Sequence, residues 1–368
     1  MKTRYEKRLE SLQKHLQEEN VDIALFVDRE NLIYYTGLTN IECMALIVPA
    51  KGGAISITLW IDVAYAKAKS AISNVVGYMF PSSNLGEKIV EMLNKTEIKS
   101  PRIGFSKYFV EFSVFDALRK GVAGIEFVNI TDICYKVRSI KDEVEVQYIK
   151  KASEFLVEGM KAAIESIKPG MTEVQVLAEA EYAMRKAGSE GASFRMQVLT
   201  QDRQLIVHPY AGSNVIDNNQ AIVIHLGATY NGYTSKMCRT VALGDINPET
   251  EAIYNLLIKA QDKSISMCKP PIDVKDIYNE TYKIIEEAGY GKYFLDVIGY
   301  GVGIRQSEFY PIIGRSYNHT LEAGMVVDLL LPTILKKGAG GPRITDVVHI
   351  RENDVEILTK FQREMIKK

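Results

Sequence analysis

At 368 residues the chain is long enough for two domains, each able to bury its own core. Hydrophobic and charged fractions of 46% and 25% are those of an ordinary globular protein, which excludes a disordered or fibrous chain. Lys and Arg number 45 against 46 Asp and Glu, so no electrostatic footprint for nucleic acid or an anionic membrane is expected.

Residues 3–19 carry Leu9, Leu12 and Leu16 on one stripe and predict an amphipathic helix. This charged opening is unlike a signal peptide, and no apolar run reaches the length of a membrane span. Residues 23–27 and 32–35 read as strands around Asp28-Arg29-Glu30-Asn31, and 44–48 and 55–60 continue the strand pattern. Helical stretches near 62–72, 85–96 and 108–120 alternate with short strands near 74–79, 102–105 and 125–129, which predicts an α/β layer structure. A boundary falls near 135–141, giving a first domain over 1–137 and a second over 138–368. The helix after it places Asp142, Glu143 and Glu145 early and Lys150 and Lys151 later, as a helix dipole favours. The cysteines, Cys43, Cys134, Cys238 and Cys268, form no CxxC pair. They read as buried thiols in a reducing cytoplasm rather than as a disulfide framework or a zinc site.

The second domain contains an internal repeat. PGMTEVQVLAEAEYAMRKAGSEGASF from Pro169 and PIDVKDIYNETYKIIEEAGYGKYFL from Pro271 share one order: Pro, a short turn, an amphipathic helix, Ala-Gly, then a strand with aromatics. Such a duplication predicts an α+β domain with pseudo-twofold symmetry and a site between its halves. Between the repeats lies AIVIHLGATYNGYTSKMCRT, residues 221–240. It reads as two strands joined at Asn231-Gly232, because Asn-Gly tolerates the positive φ of a tight hairpin. Alternation puts Ser235, Met237 and Arg239 on one face of the second strand and Lys236, Cys238 and Thr240 on the other.

That hairpin resembles the metal-binding hairpin of the creatinase/aminopeptidase P/prolidase family, the pita-bread proteins, whose pattern is D-L-G-A-x-Y-N-G-Y-x-S-D-x-T-R-T. Leu226, Gly227, Ala228, Tyr230, Asn231, Gly232, Tyr233, Ser235, Arg239 and Thr240 keep the pattern. VDIALFVDRENLIYYTGL and RSIKDEVEVQYIKKASEF resemble the family's N-terminal domain and its linker, so the resemblance spans nearly the whole chain. It implies an α/β N-terminal domain, a pita-bread C-terminal domain and a homodimer. The family holds two divalent cations with two aspartates, a histidine and two glutamates. His225 and Lys236 stand at the aspartates. Matching G-H-G-I-G to Gly301-Val302-Gly303-Ile304-Arg305 puts Val302 at the histidine. Leu330 and Thr345 stand at the glutamates of G-M-V-x-T-I-E-P and R-I-E-D-x-V. All five ligand positions are changed, so no metal or other cofactor is expected.

His208, seventeen residues before His225, matches a histidine that contacts substrate in the metallopeptidases and is the acid/base in creatinases, which work without metal. An imidazole is suited to shuttle a proton at neutral pH. The bland alternative is a surface loop, HPYAGSN. Alternation puts Asp328 on the face of Leu330, where a Lys236–Asp328 pair would neutralise the site; the alternative is a Lys236 that snorkels to solvent. A buried Lys236 beside other cations could act as base or nucleophile. Cys238 shares its face, where creatinases carry a glutamate, which argues against a creatine-like substrate. His225 is a candidate ligand contact or a core histidine. Tyr230, Tyr233, Tyr300 and Tyr310 could line an aromatic pocket, and Arg305 or Arg343 could grip a carboxylate. His15, His319 and His349 belong to no constellation and read as structural.

Three readings follow. The first is a metal-independent hydrolase of a C–N bond in a small zwitterionic or amino-acid-like compound, with His208 as acid/base. The second is a catalytically inactive pseudopeptidase acting as a ligand-, peptide- or protein-binding module, as histone-chaperone relatives of the fold suggest by analogy, with a small-molecule or short-peptide ligand as the expected partner. The third is an Xaa-Pro dipeptidase with relocated ligands such as Asp328, Asp346 and His225.

Overall fold

The computed structural model describes residues 2–42, 44–96, 98–106, 111–331 and 334–368, with the backbone alone for Asp202, Leu330 and Leu331. Cys43 and part of the helix expected over 108–120 lie outside these residues. The chain divides into two compact units, Met1–Arg138 and Ser139–Lys368.

In the first unit, helix α1 (Arg4–Glu18) starts at a capping box between Thr3 and Glu6 and buries Leu12 and Leu16. The strands are β1 (Ile23–Phe26), β2 (Ala45–Pro49), β3 (Ile55–Leu59), β4 (Val75–Tyr78), β5 (Arg102–Phe105) and β6 (Glu126–Asn129). They form one mixed sheet in the order β4-β3-β2-β1-β5-β6. Helices α2 (Arg29–Thr36), α3 (Val63–Lys69), α4 (Leu85–Asn94), α5 (Phe112–Gly121) and α6 (Thr131–Ser139) connect them. Ile23, Leu25, Ile47, Ile57 and Ile103 supply the sheet side of the core. The strand expected over 32–35 is helical instead. Asp28 caps Asn31 N–H and Gly37 closes the helix at φ 76°, so the apolar run Leu32-Ile33-Tyr34-Tyr35 is a helix buried on all sides.

The second unit opens on α7 (Glu143–Ser166), nucleated by a capping box between Asp142 and Glu145. Helix α8 (Glu173–Ala187) follows, then β7 (Gln197–Leu199), β8 (Gln220–Tyr230) and β9 (Tyr233–Leu243). A second helix pair comes next, α9 (Pro248–Met267) and, after β10 (Ile272–Asp273), α10 (Val274–Glu287). The remaining strands are β11 (Val297–Gly301), β12 (Glu308–Gly314), β13 (Thr320–Leu321), β14 (Val326–Leu331), β15 (Ile344–Ile350), β16 (Val355–Ile357) and β17 (Ile366–Lys367). The order of long helix, shorter helix and strands thus occurs twice. The main sheet runs β12-β11-β14-β15-β9-β8-β7, with β16 added to β15 and β17 to β9. Asn231 and Gly232, at φ 46° and 76°, make the β8–β9 turn.

One face of this sheet is covered by helices. Ile222, Ile224, Leu226 and Met237 pack on α7 and α8 through Leu156, Met160 and Val176. Val327, Leu329, Ile344 and Val348 pack with Leu257, Ile277 and Ile285 of α9 and α10. On the same face Arg239, fully buried, pairs with Asp346 at 2.7 Å. Its guanidinium also donates to the carbonyls of Cys238, Thr345, Phe361 and Gln362, which ties the C-terminal tail to β9 and β15. Removing this side chain leaves the buried Asp346 carboxylate to the Thr359 hydroxyl and to Arg363 at 3.6 Å, and takes the donor from several carbonyls. Arg239→Ala is therefore expected to lower stability by about 3–5 kcal/mol in urea unfolding, with faster amide exchange at residues 361–362; a loss below about 1 kcal/mol would refute the pair's role.

Candidate functional site

Directly opposed residues in an antiparallel ladder point to the same face. His225 opposes Cys238, Cys238 opposes Thr345, and Thr345 opposes Leu330. One row therefore crosses β8, β9, β15 and β14, and Gln197 opposite His225 extends it to β7. Lys236 and Asp328 lie two residues from Cys238 and Leu330 and share this face, which is the one turned away from the helices.

Lys236 does not snorkel. Its ammonium is buried and ion-paired with Asp328 Oδ2, and the carboxylate is fully buried. Lys236 Nζ also donates to Ser307 Oγ at 3.1 Å and lies 5.9 Å from the Tyr300 ring centroid. Asp328 Oδ1 accepts the Tyr300 N–H at 2.9 Å. Burial, and then the Asp328 charge, raises the Tyr300 phenol above its ordinary pKa.

These contacts revise one position. The glycine pattern fits Gly299-Tyr300-Gly301-Val302-Gly303 with all three glycines kept, whereas the register on Gly301 puts Arg305 at the third. Tyr300 is the residue beside Lys236 and Asp328. Val302 is completely buried and its N–H donates to Val326 O. Tyr300, not Val302, is thus the fifth member of the group with His225, Lys236, Leu330 and Thr345. An imidazole, an ammonium with its own counter-ion, a phenol and a hydroxyl do not fit a pair of divalent cations. Among the described residues no three His, Cys, Asp or Glu side chains converge where they could hold a metal ion. The relocated set is not assembled either, because Asp346 opposes Leu329 and faces the helices with Arg239.

His225 is buried, and its ring lies 4.7 Å from that of Phe194. Phe194 fits there because Gly227 has no side chain; a Cβ at Gly227 would come within 2.4 Å of the ring. Burial first, then the charges of Lys236, Arg343 and His208, holds His225 well below its ordinary pKa, so it is a neutral imidazole. Cys238 packs with Leu199 and Val223, and burial pushes its thiol up to about 12. It is a filler rather than a polar contact.

His208 is exposed in a bend after the turn Gln201–Leu205. That loop is pinned from below. Arg343 donates to the carbonyls of Gln204 and Ile206 at 2.8 Å and of Val207 at 3.4 Å, and to Gln197 Oε1 at 3.0 Å. Gln197 Nε2 donates to the carbonyls of Val207 and Pro209. The Nη atoms of Arg343, a candidate grip for a ligand carboxylate, are engaged as a loop anchor, while its Nε has no partner among the described residues. Tyr233 is not on this face: it points to α7 and donates to Glu145 Oε1 at 2.9 Å. Tyr230 lies against Tyr148 and Phe155 of the same helix. Tyr310 packs against His319 at 4.6 Å, and the Arg305 guanidinium stacks on Phe309. Gln197 and Ser307 were missed in the sequence. Alternation along β7 could have flagged Gln197; Ser307 lies in a bend with no periodic signal.

Comparison with known proteins places this geometry. Residues 147–352 match the family described as Metallopeptidase family M24, and residues 8–140 match the Creatinase/Prolidase N-terminal domain. The chain is 31% identical to the Xaa-Pro dipeptidase of Pyrococcus furiosus, over 98% of this chain and 99% of that protein. A solved Xaa-Pro dipeptidase from Bacillus anthracis covers 99% of this chain and 100% of its own at a TM-score of 0.91 and 26% identity. The prolidase from Pyrococcus horikoshii OT3 covers 98% and 100% at a TM-score of 0.89 and 28% identity. The architecture is therefore an α/β N-terminal domain followed by a pita-bread domain.

Asp328→Ala would strand the Lys236 ammonium in a buried site. It is expected to cost about 3–5 kcal/mol in denaturant unfolding, with Lys236→Met/Asp328→Leu recovering most of the loss. A single substitution as mild as the double one would show that the pair is solvated. The neutral His225 makes stability depend on pH. Its folded pKa lies below the ordinary 6.5, so below that value the unfolded chain binds the extra proton. Stability from this group is complete above about 6.5 and is lost as pH falls, at up to about 1.4 kcal/mol per unit. Urea midpoints between pH 7 and 5 should fall less steeply in His225→Gln, with a residual slope from His349, also held low by burial.

Proposed function

Because the chain belongs to metallopeptidase family M24 yet carries, among its described residues, no cluster of side chains fitted to that family's cations, we propose that it is a prolidase-like hydrolase working without them. Its substrate on this reading is a small zwitterionic, amino-acid-like or dipeptide-like compound with a hydrolysable C–N bond. The observation that supports the reading is the buried Lys236–Asp328 pair: a fixed ammonium with its counter-ion on the face that carries this chain's changed ligand positions. A fixed charge of this kind is preorganised and needs no reorientation during reaction. His208, on a loop held by Arg343 and Gln197, takes a proton from water as the water attacks the carbon of the C–N bond. The same imidazole returns the proton to the nitrogen that leaves. Tyr300 and Arg305 orient the substrate. The protein acts as a homodimer in the cytoplasm, and sedimentation of the purified chain tests the assembly.

A second reading is a pseudopeptidase that binds such a compound without turnover. It is favoured by the dry cluster of Cys238, Leu199 and Val223 on the same face. EDTA-treated protein assayed on Xaa-Pro dipeptides and amino-acid amides separates the two. Turnover that survives EDTA and falls about 10²–10⁴-fold in His208→Ala is expected. Turnover that requires added manganese or cobalt would overturn metal independence. No turnover with or without cations would leave the binding module.

A further inference from the structure

Among the described residues, three buried side-chain atoms on the sheet face turned away from the helices have no hydrogen-bond or ion-pair partner: His225 Nε2, Arg343 Nε and Thr345 Oγ1. Their residues are 9%, 4% and 0% exposed. A buried polar atom left without a partner costs about 1–3 kcal/mol, so three on one face call for a common occupant.

The three residues are neighbours. His225 and Thr345 flank Cys238 in the row across β8, β9 and β15. Arg343 lies two residues before Thr345, and its Nη1 reaches Gln197, the residue opposite His225. Each orphaned atom can donate: the guanidinium N–H always, the hydroxyl by rotation, and the neutral imidazole in its Nε2–H tautomer. The charge on the face points the same way. Lys236 is matched by Asp328. Arg343 bonds only to three carbonyls and an amide oxygen, and no carboxylate among the described residues pairs with it. Among the described residues one positive charge therefore has no matching carboxylate, beside three donors without acceptors.

We propose that His225, Arg343 and Thr345 form a site for a small oxyanion, namely the carboxylate of an amino-acid-like ligand. A carboxylate offers about four lone-pair sites and accepts from all three donors while neutralising the guanidinium. A cation would add like charge, and an apolar group would leave the donors dry. The family pattern has carboxylates at positions 225 and 345, which repel an anion; here His225 and Thr345 invert that preference. The site stands whether or not the ligand is turned over, because occupancy is read without catalysis.

Calorimetric titration of the full chain with glycyl-proline, glycyl-prolinamide, acetate and inorganic phosphate tests it. Glycyl-proline and acetate should bind and raise Tm, and glycyl-prolinamide should bind about tenfold or more weakly than glycyl-proline. Thr345→Val, which removes only the hydroxyl, should weaken carboxylate binding by about tenfold, with Thr345→Ser restoring it. His225→Phe provides a second variant with the same expected loss should Thr345→Val fold poorly. Equal affinity for the acid and the amide, wild-type affinity in Thr345→Val and His225→Phe, or no binding of any carboxylate would overturn the proposal. Phosphate bound in preference to both carboxylates would overturn the assignment to a carboxylate.

Discussion

Period-two alternation across β8, β9, β15 and β14 is the constraint on which the second unit depends. It sorts two buried ion pairs onto opposite faces of the same sheet: Arg239–Asp346 among the helices and Lys236–Asp328 on the face turned away from them. Lys236 and Arg239 are three residues apart on β9, and an odd spacing is what separates them. A slip of one residue would drive the ammonium into the helix-covered core and expose the guanidinium's partners. The hairpin turn at Asn231-Gly232 guards against that slip, because its two positive-φ residues fix the pairing from Tyr230–Tyr233 down to Gln220–Leu243.

Within this frame the open face has changed its electrostatic character while keeping its backbone. A cage of carboxylates requires cations to be tolerable in a dry site. One lysine with one aspartate reaches neutrality without any, at the cost of desolvating both groups. The neighbouring row then holds neutral or donating groups: an imidazole kept uncharged by burial, a thiol pushed up to about 12, a hydroxyl and a guanidinium. The same guanidinium pins the loop that carries His208, so loop geometry and face charge are coupled through Arg343. A change at that residue acts on both at once.

Much of the fold was legible in the sequence because its signals are local. Capping boxes at Thr3 and Asp142, the Asn-Gly turn and the alternation of residues 234–243 each depend on neighbours within a few positions. The scaffold letters around Leu226 and Arg239 added the family; alternation placed Asp328 on the face of Leu330, and the resemblance put that face with Lys236. Residues 32–35 misled because a short apolar run has no period, and only the Asp28 cap and Gly37 distinguish the helix from a strand.

The sequence by itself determined the two-unit architecture and which hairpin residues share a face, since composition and short-range periodicity carry that information, and the family resemblance supplied four of the five changed ligand positions. Only the tertiary structure decided what each long side chain touches. That Tyr233 turns to Glu145, that Arg343 anchors residues 204–207, that Tyr300 rather than Val302 stands by Lys236, and that three donors lack acceptors among the described residues all depend on segments far apart in the chain. Pairings across a hundred residues are set by how sheets and helices close on one another, and no local pattern encodes them.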